Sequence, residues 1–356
     1  MRKKINQLAL AIPPIARLYN QRNELQFQRD ELLRLVKTLE EKIAQGPATN
    51  NERILQEMRN PQVHLDNSTL IKAELEREKS DFKIRVEQGF LIETDYPYLP
   101  KVRSWETLQG GNPWRSLISA NEHIYAKLLN SFVVFEKSFH SISNMEPIDS
   151  TEPFWANDWL PPLDGISIYG LLSSRNPRLY VEVGSGNSTK YARRAIRDQN
   201  LRTRIISIDP MPRAEIDEIC DQVIRSGLQE TNLSIFEDLG DEDVVFIDNS
   251  HRSFQNSDVT VFFTEILPSL KSGCHYGIHD IFLPSDYPQE WLKRYYNEQY
   301  LLMAYLLGGA GGDEIVMPIA YIAQSPVMLN ILSPILEHQS LSGTRAIGGA
   351  FWMKKA

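Results

Sequence analysis

The sequence of 356 residues predicts an α/β protein whose second half forms a doubly wound, mostly parallel sheet, preceded by a helical extension. Three observations support this fold class. The apolar run 179–183 breaks into Gly184-Ser185-Gly186, and two later apolar runs, 243–247 and 274–278, end at acids or histidines. Amphipathic helical patterns separate the runs, and leucines recur every seven residues near the amino terminus.

The first apolar run, Leu179–Val183, predicts a strand that ends in a glycine turn and leads into a helix at Asn187. Such a turn presents free backbone N–H groups and lets a ligand approach the main chain closely. The pattern therefore predicts a site for a nucleotide-like cofactor.

Two residues around this turn bear on the identity of the cofactor. Glu182 stands where a dinucleotide-binding fingerprint carries an apolar residue, and Thr189 stands where its third glycine would be. A carboxylate at this point favours a cationic ligand over a pyrophosphate. A second predicted strand, 204–208, ends at Asp209, which is placed to accept hydrogen bonds from the ribose hydroxyls of a bound adenosine.

The two later strands deliver a second group of polar side chains. Asp248 and His251 follow the run 243–247, and His279 and Asp280 follow the run 274–278. Ligands of parallel sheets bind at the carboxyl ends of the strands, so we expect these side chains to converge there.

The remaining elements are predicted from capping residues and periodicity. We expect Asp258 to be the N-cap of a helix. Residues 118–142 are expected to form one long amphipathic helix and residues 166–172 a short helix. Residues 314–322 and 349–354 are expected to form the final strands.

From about residue 159 onward, the sequence resembles a class I S-adenosylmethionine-dependent methyltransferase. The pattern Glu/Asp-x-Gly-x-Gly, followed by an acid at the tip of the second strand, is met by Glu182, Gly184, Gly186, Ser188 and Asp209. Residues 246–302 resemble a bacterial branch related to sugar and polysaccharide O-methyltransferases. The resemblance implies a Rossmann-like methyltransferase fold with seven strands in the order 3-2-1-4-5-7-6, the last strand antiparallel.

The resemblance also implies roles for individual residues. S-adenosylmethionine is expected to contact Glu182, Gly184, Ser185, Gly186, Ser188 and Asp209. His251 is the expected general base, with Asp248 as the second catalytic residue. The alternative for His251 is a hydrogen-bonding cap of its loop. Substrate contacts are implied for Asp286, Tyr287, Asn297, Glu298 and Gln299.

A divalent metal is implied at Asp248, His279 and Asp280. Mg²⁺ prefers oxygen ligands, whereas an imidazole nitrogen fits Mn²⁺, Fe²⁺ or Zn²⁺ better. Metal dependence is therefore left open, and the alternative for His279 is an imidazole that orients Asp280.

Residues 1–46 predict a coiled coil, because Leu18, Leu25, Leu32 and Leu39 have heptad spacing. Self-association into a homo-oligomer is the first interpretation, and a single helix packed on the chain's own body is the alternative. Residues 47–157 are expected to form a linker and cap of helical and irregular structure, including a charged helix over 70–86. Residues 158–356 are expected to form the methyltransferase domain.

A net charge of −8 disfavours nonspecific nucleic-acid binding. The sequence contains no apolar stretch long enough for a membrane span, and its two cysteines indicate no disulfide or zinc framework, which fits the cytoplasm.

The predicted function is O-methylation of a hydroxyl on a sugar or glycan precursor, with a small molecule or glycan as substrate. The alternatives are a coiled-coil scaffold with a vestigial cofactor site and, with less support, a nicotinamide-dependent oxidoreductase. Glu182 and Thr189 count against the oxidoreductase.

Overall fold

The computed structural model describes residues 77, 79–92, 97–212 and 215–356. The chain divides into two compact units, Met1–Tyr98 and Leu99–Ala356. In the first unit, residues 79–87 are helical and their side chains are exposed, as expected for the carboxyl-terminal part of the charged helix predicted over 70–86. The coiled coil predicted over 1–46 lies outside the described residues.

The second unit contains a seven-stranded sheet in the order β3-β2-β1-β4-β5-β7-β6, which confirms the expected topology. Strands β1 to β5 are parallel, and β7 is antiparallel to both β5 and β6. The strands are β1 (Leu179–Val183), β2 (Arg204–Ile208), β3 (Gln222–Ile224), β4 (Val244–Ile247), β5 (His275–Ile278), β6 (Glu314–Pro318) and β7 (Phe351–Lys354).

The helices of this unit connect the strands and cover the sheet. They are α1 (Pro113–Ser119), α2 (Glu122–Phe132), α3 (Glu136–His140), α4 (Pro162–Arg175), α5 (Asn187–Gln199), α6 (Ser234–Glu237), α7 (Asp258–Val261), α8 (Leu267–Ser269), α9 (Glu298–Leu307), α10 (Ile319–Ile322), α11 (Pro326–Ile331) and α12 (Ser333–Leu336). A π-helical segment, Phe262–Ile266, joins α7 to α8. Short 3₁₀ helices cover Trp105–Thr107, Val133–Phe135, Asp217–Ile219, Leu228–Glu230, Gln289–Arg294, Ala310–Gly312 and Gln339–Leu341.

The central strands are buried over their whole length, since every residue of β1, β4 and β5 is buried. This is the pattern of a parallel sheet that is covered on both faces. Strand pairing places Val183 opposite Ile247 and Ile247 opposite Ile278, so the carboxyl ends of β1, β4 and β5 lie side by side.

Several predicted boundaries were wrong. The long helix predicted over 118–142 is broken at Asn121, which has φ −107° and ψ 18° and donates its side-chain amide to the carbonyl of Ile315. The helix predicted over 166–172 is α4, which runs from Pro162 to Arg175. The strand predicted over 314–322 ends at Pro318, and Ser257 rather than Asp258 is the N-cap of α7, because the Ser257 hydroxyl accepts from Thr260 N.

Among the described residues, the structure contains no helix with the length and apolar character that a bilayer-spanning segment requires.

Gly184, directly after β1, is the residue that lets the turn approach β4. Its φ is +78°, and a Cβ atom at this position would lie 1.7 Å from the carbonyl oxygen of Asp248. A side chain is therefore excluded both by backbone conformation and by contact with a neighbouring main chain.

We expect Gly184→Ala to lower the free energy of unfolding by about 2–4 kcal/mol, because either the turn or the start of the Asp248 loop must move. Denaturant unfolding of the purified protein measures this change. Gly186→Ala is the matched control, because a Cβ at Gly186 meets nothing within 4 Å. Equal stability of the two variants would contradict the packing argument.

Candidate active site

A cavity of about 320 Å³ lies at the carboxyl ends of β1, β2 and β4. It is lined by the glycine turn, by the residues that follow β2 and β4, and by Trp159 from the loop before α4. The lining residues are Trp159, Val183, Gly184, Ser185, Gly186, Asn187, Ile208, Asp209, Pro210, Met211, Gly227, Leu228, Gln229, Asp248, Asn249, Ser250 and Asp258. The cavity thus occupies the ligand position predicted from the sequence.

Asp209 lines the cavity and holds the glycine turn to β2. Its Oδ2 accepts from Ser185 N at 2.8 Å, and its Oδ1 accepts from Met211 N at 2.7 Å. The hydroxyls of Ser185 and Ser207 share a hydrogen bond of 2.7 Å. The predicted ribose-binding carboxylate is therefore fixed in place, with further lone pairs available to a ligand.

Glu182 lies beneath the turn rather than in the cavity. It is fully buried, its Oε1 accepts from the Tyr180 hydroxyl at 2.9 Å, and its Oε2 accepts from the Thr189 hydroxyl. Thr189 in turn accepts from Gly186 N at 3.0 Å. This differs from the expected direct contact with a cationic ligand: the carboxylate supports the turn from below. Ser188 is also buried and absent from the cavity wall.

Asp248, His251 and Asp280 form a cluster beside the cavity. Asp248 belongs both to this cluster and to the cavity wall. His251 Nε2 lies 3.3 Å from Asp248 Oδ1 and 3.3 Å from Asp280 Oδ2. One ligand atom from each of the three residues lies within 4.8 Å of the others. The convergence that was expected at the strand ends is therefore observed for these three residues.

Glu298, at the start of α9, orients His251 from the opposite side. Its Oε2 lies 2.9 Å from His251 Nδ1, and its Oε1 accepts from the Asn249 side-chain amide at 3.1 Å. Glu298 is fully buried. Sequence reasoning proposed a substrate contact for Glu298 and did not find its contact with His251, which lies 47 positions away.

His279 lies under the cluster, between two carboxylates. Its Nε2 is 3.1 Å from Asp164 Oδ2, and its Nδ1 is 3.2 Å from Asp248 Oδ1. Asp164, in the first turn of α4, also accepts from Gly349 N and Ala350 N. The expected metal set was Asp248, His279 and Asp280. His279 Nδ1 also lies 3.6 Å from Asp280 Oδ1, but its Nε2 is bonded to Asp164, outside the set, and the three residues whose ligand atoms lie within 4.8 Å of one another are Asp248, His251 and Asp280. His251 takes the place of His279 in the converging group.

Burial and charge shift the pKa values in this cluster. Burial alone would raise the pKa of Asp248, but the neighbouring His279 and His251 hold it well below its ordinary value. Burial would lower the pKa of His251, but hydrogen bonds to Asp248 and Glu298 raise it well above 6.5. Burial raises the pKa of Asp280 and of Glu298. The cluster therefore favours a positive charge next to Asp248 and Asp280, either a proton or a cation.

The backbone is left-handed at two of these residues. His251 has φ 57° and Asp280 has φ 57°. Non-glycine residues rarely adopt this conformation, and it persists where the surrounding structure holds it in place. It is what turns both side chains back toward the edge of the sheet after β4 and β5.

The other residues expected to contact substrate hold the neighbouring loops. Asn297 Oδ1 accepts from Ser253 N at 2.7 Å, Gln299 Oε1 accepts from Phe282 N at 2.7 Å, and the buried Tyr287 hydroxyl accepts from Gln299 N at 3.1 Å. Asp286 Oδ1 accepts from the Tyr300 hydroxyl at 2.7 Å. The bond between Asn297 and Ser253 joins the segment 250–258 to the segment 281–300, and the other three bonds lie within the segment 281–300.

One family model matches part of the chain. Residues 181–281, less than a third of the chain, match the model of a family described as Methyltransferase domain. No curated protein matches the chain. The matched segment runs from β1 to the residue after Asp280, and so it contains the glycine turn and the residues that follow β4 and β5.

Three solved structures illustrate the similarity to known folds. One is the methyltransferase PaMTH1 from Podospora anserina bound to SAH, with 11% identity, a TM-score of 0.36, and coverage of 74% of this chain and 100% of that chain. The plantazolicin methyltransferase BpumL, in complex with a pentazolic desmethylPZN analog and SAH, has 14% identity, a TM-score of 0.38, and coverage of 66% and 99%. The O-methyltransferase TomG from Streptomyces achromogenes, involved in tomaymycin synthesis, has 14% identity, a TM-score of 0.34, and coverage of 68% and 99%.

The buried carboxyl group of Glu182 predicts a pH dependence of stability. Burial raises its pKa from 4.5 to about 7, although Thr189, Ser188 and Tyr180 act in the opposite direction. The folded protein therefore holds this proton more tightly than the unfolded chain does. The stability that protonation contributes is complete below the unfolded pKa and is lost as the pH rises through the folded pKa.

We expect Glu182→Gln to remove this dependence in the cofactor-free protein. The difference in unfolding free energy between wild type and variant should fall by roughly 2–3 kcal/mol between pH 4.5 and pH 8. Urea unfolding across this range measures the difference, and Glu237→Gln at an exposed site reports the effect of the lost net charge. A constant difference would show that the pKa of Glu182 is close to its ordinary value.

Proposed function

We propose that the protein is an S-adenosylmethionine-dependent O-methyltransferase that transfers the methyl group to a hydroxyl of a sugar or glycan precursor. One observation carries this proposal: Asp248 lines the cavity at the glycine turn and also contacts His251 Nε2 at 3.3 Å. A methyl donor in the cavity and a base at His251 would thus lie on either side of one residue. An in-line transfer requires the acceptor oxygen to lie close to both the methyl group and the base, and this placement would allow it.

The cofactor would lie along the glycine turn, with its ribose at Asp209. Ser185, Gly186 and Asn187 offer the main-chain surface of the turn, and the loop containing Trp159 covers one side of the cavity. Asn157 Oδ1 accepts from the Asn187 side-chain amide at 3.0 Å, which holds that loop against the start of α5. Glu182 would act indirectly: burial raises its pKa to about 7 in the cofactor-free protein, and a cationic donor above the turn would favour its negatively charged form.

His251 would accept the proton of the acceptor hydroxyl at Nε2 once the positive charge of a bound cofactor or cation beside Asp248 and Asp280 lowers the raised pKa of the imidazole. An alcohol becomes an effective nucleophile only as its proton leaves. Glu298 contributes by holding Nδ1, which leaves Nε2 directed toward Asp248 and Asp280. Glu298 would thus be the third residue that orients the catalytic base His251, as in other enzymes with an activated nucleophile.

A divalent cation fits the oxygen donors of Asp248 and Asp280, with His251 Nε2 next to both. These are hard ligands of the kind that Mg²⁺ and Mn²⁺ prefer. When bound, such an ion would lower the pKa of a hydroxyl that it contacts. His279 would support Asp248 from below rather than bind the ion.

The geometry supports this function better than the two alternatives. In a nicotinamide oxidoreductase the third glycine lets the helix pack closely against the strand. Here Thr189 stands at that position and bonds to Gly186 and Glu182. A scaffold with a vestigial site would not require the buried carboxylates Asp164 and Glu298 to hold two histidines. Self-association through residues 1–46 and a cytoplasmic location remain part of the proposal.

Calorimetry and turnover together test the proposed function. Wild-type protein should bind S-adenosylmethionine and its demethylated product, but not NADH. His251→Ala should retain that affinity and reduce turnover of an acceptor by roughly 10² or more, measured as release of S-adenosylhomocysteine. His123→Ala, at an exposed position of α2, is the control. Absence of cofactor binding would favour the scaffold, and full turnover by His251→Ala would exclude this base.

The cation is tested separately. Asp248→Asn and Asp280→Asn should each weaken Mn²⁺ binding by at least about 10-fold, because each removes a charged oxygen ligand. Electron paramagnetic resonance of Mn²⁺ measures the binding without an acceptor, and Asp238→Asn at an exposed site is the control. Full activity in EDTA would exclude the metal while leaving His251 as the base.

A further inference from the structure

Arg252 lies next to the proposed base in a position fixed by uncharged partners. Its Nε donates to the carbonyl of Arg294 at 2.8 Å, and its Nη1 donates to the carbonyl of Ser250 at 3.1 Å. Its guanidinium carbon lies 4.9 Å from the centre of the Tyr296 ring. The side chain is partly buried. The guanidinium is therefore held in one place, next to Ser250 of the cavity wall.

The positive charge of Arg252 has no carboxylate partner within 4.0 Å among the residues that the structure describes, and the same holds for Arg294. Arginines elsewhere in this unit, such as Arg178, Arg193 and Arg194, do form such ion pairs. Carbonyl oxygens orient a guanidinium without neutralising it. A fixed and uncompensated charge of this kind attracts an anionic group from outside the chain.

Aromatic rings connect this charge to the proposed base. The Tyr296 ring lies 4.7 Å from the His251 ring, and the Arg294 guanidinium carbon lies 3.9 Å from the Trp291 ring centre and 5.5 Å from that of Tyr296. Lys293 is exposed beside them. Two guanidinium groups thus lie against an aromatic surface next to His251, with the exposed Lys293 adjacent in sequence, in a chain whose net charge is −8.

The two loops that carry these groups are joined by main-chain bonds. The carbonyl of His251 accepts from Asn297 N at 2.9 Å, and Asn297 Oδ1 accepts from both the backbone and the hydroxyl of Ser253. His251 and Arg252 are therefore fixed relative to Arg294 and Tyr296. A ligand that binds the guanidinium would meet an arrangement that is already formed.

We propose that Arg252, assisted by Arg294 and Lys293, forms an oxyanion subsite, so that the acceptor carries a phosphate or carboxylate group close to the hydroxyl that is methylated. This inference rests on the proposed function, which it extends by naming the chemical class of the acceptor. Tyr296 and Trp291 would contact the body of the acceptor. The subsite would select charged acceptors over neutral ones and position the hydroxyl near His251.

Calorimetry with the S-adenosylhomocysteine complex of the full chain tests the subsite. The probes are glucose 6-phosphate, glucuronate and glucose, which share a ring and differ in charge. We expect at least one charged sugar to bind about 10-fold or more tightly than glucose, and the stronger of the two identifies the oxyanion. Arg252→Gln should remove this preference and leave the binding of glucose unchanged.

Two further variants keep the test decisive. Arg202→Gln is the matched control, because Arg202 also donates to a backbone carbonyl, that of Asn176, but lies near the amino end of β2. If Arg252→Gln does not fold, Arg294→Gln at the exposed position should still weaken the preference several-fold. Equal affinity for glucose and the charged sugars, a preference retained in the folded Arg252 or Arg294 variant, or no binding of either charged sugar would overturn the inference.

The outcomes also distinguish failure of the oxyanion subsite from failure of the proposed methyltransferase function. Cofactor binding without any preference for charged sugars would remove the subsite and leave the methyltransferase. A preference that depends on Arg252, in a protein that binds no S-adenosylmethionine, would retain the oxyanion site and remove the methyltransferase.

Discussion

The position of β4 between β1 and β5 is the constraint on which the candidate site depends. Its pairing places Ile247 opposite both Val183 and Ile278, so the residues that follow these strands emerge at one edge. Asp248 consequently lies against the glycine turn on one side and near Asp280 on the other. A shift of register would separate the cavity from the cluster, because side chains of a strand alternate between faces.

Carboxylates and imidazoles alternate through the core of this edge, from Asp164 through His279, Asp248 and His251 to Glu298. Burying so many ionisable groups is unfavourable unless each has a partner, and removal of one member leaves the next charge unpaired. The series also links elements that are distant in sequence, since Asp164 begins α4 and Glu298 begins α9. The site is thus part of the packing of the domain.

The loops after β4 and β5 have a different character from the interior series. Besides their acids they carry Arg252, which is held by carbonyl oxygens and the Tyr296 ring, and Arg294, which lies over the rings of Trp291 and Tyr296. The cavity side is instead bounded by backbone amides and by Asp209. Donor and acceptor would therefore be recognised by different chemistry, with Asp248 and His251 between them.

The candidate residues that follow strands could be predicted from the sequence, because an apolar run that ends in a polar residue indicates its position at the sheet edge. Gly184, Asp209, Asp248, His251 and Asp280 were all found in this way. That His251 rather than His279 groups with Asp248 and Asp280 could not be predicted, because it depends on contacts of the two imidazoles with Glu298 and Asp164, which are distant in sequence. Asp164 and Glu298 carry no local pattern that distinguishes them from a helix-starting acid.

Taken by itself, the sequence determined the class of fold, the order of strands and turns along the chain, and the residue types at the strand ends. Periodicity and glycine chemistry act over a few positions, so they can be read locally. The tertiary structure alone decided that Glu182 lies under the turn, which imidazole groups with Asp248 and Asp280, and which carboxylates hold the two histidines. These contacts join residues up to 115 positions apart, and they form only when the helices pack against the sheet.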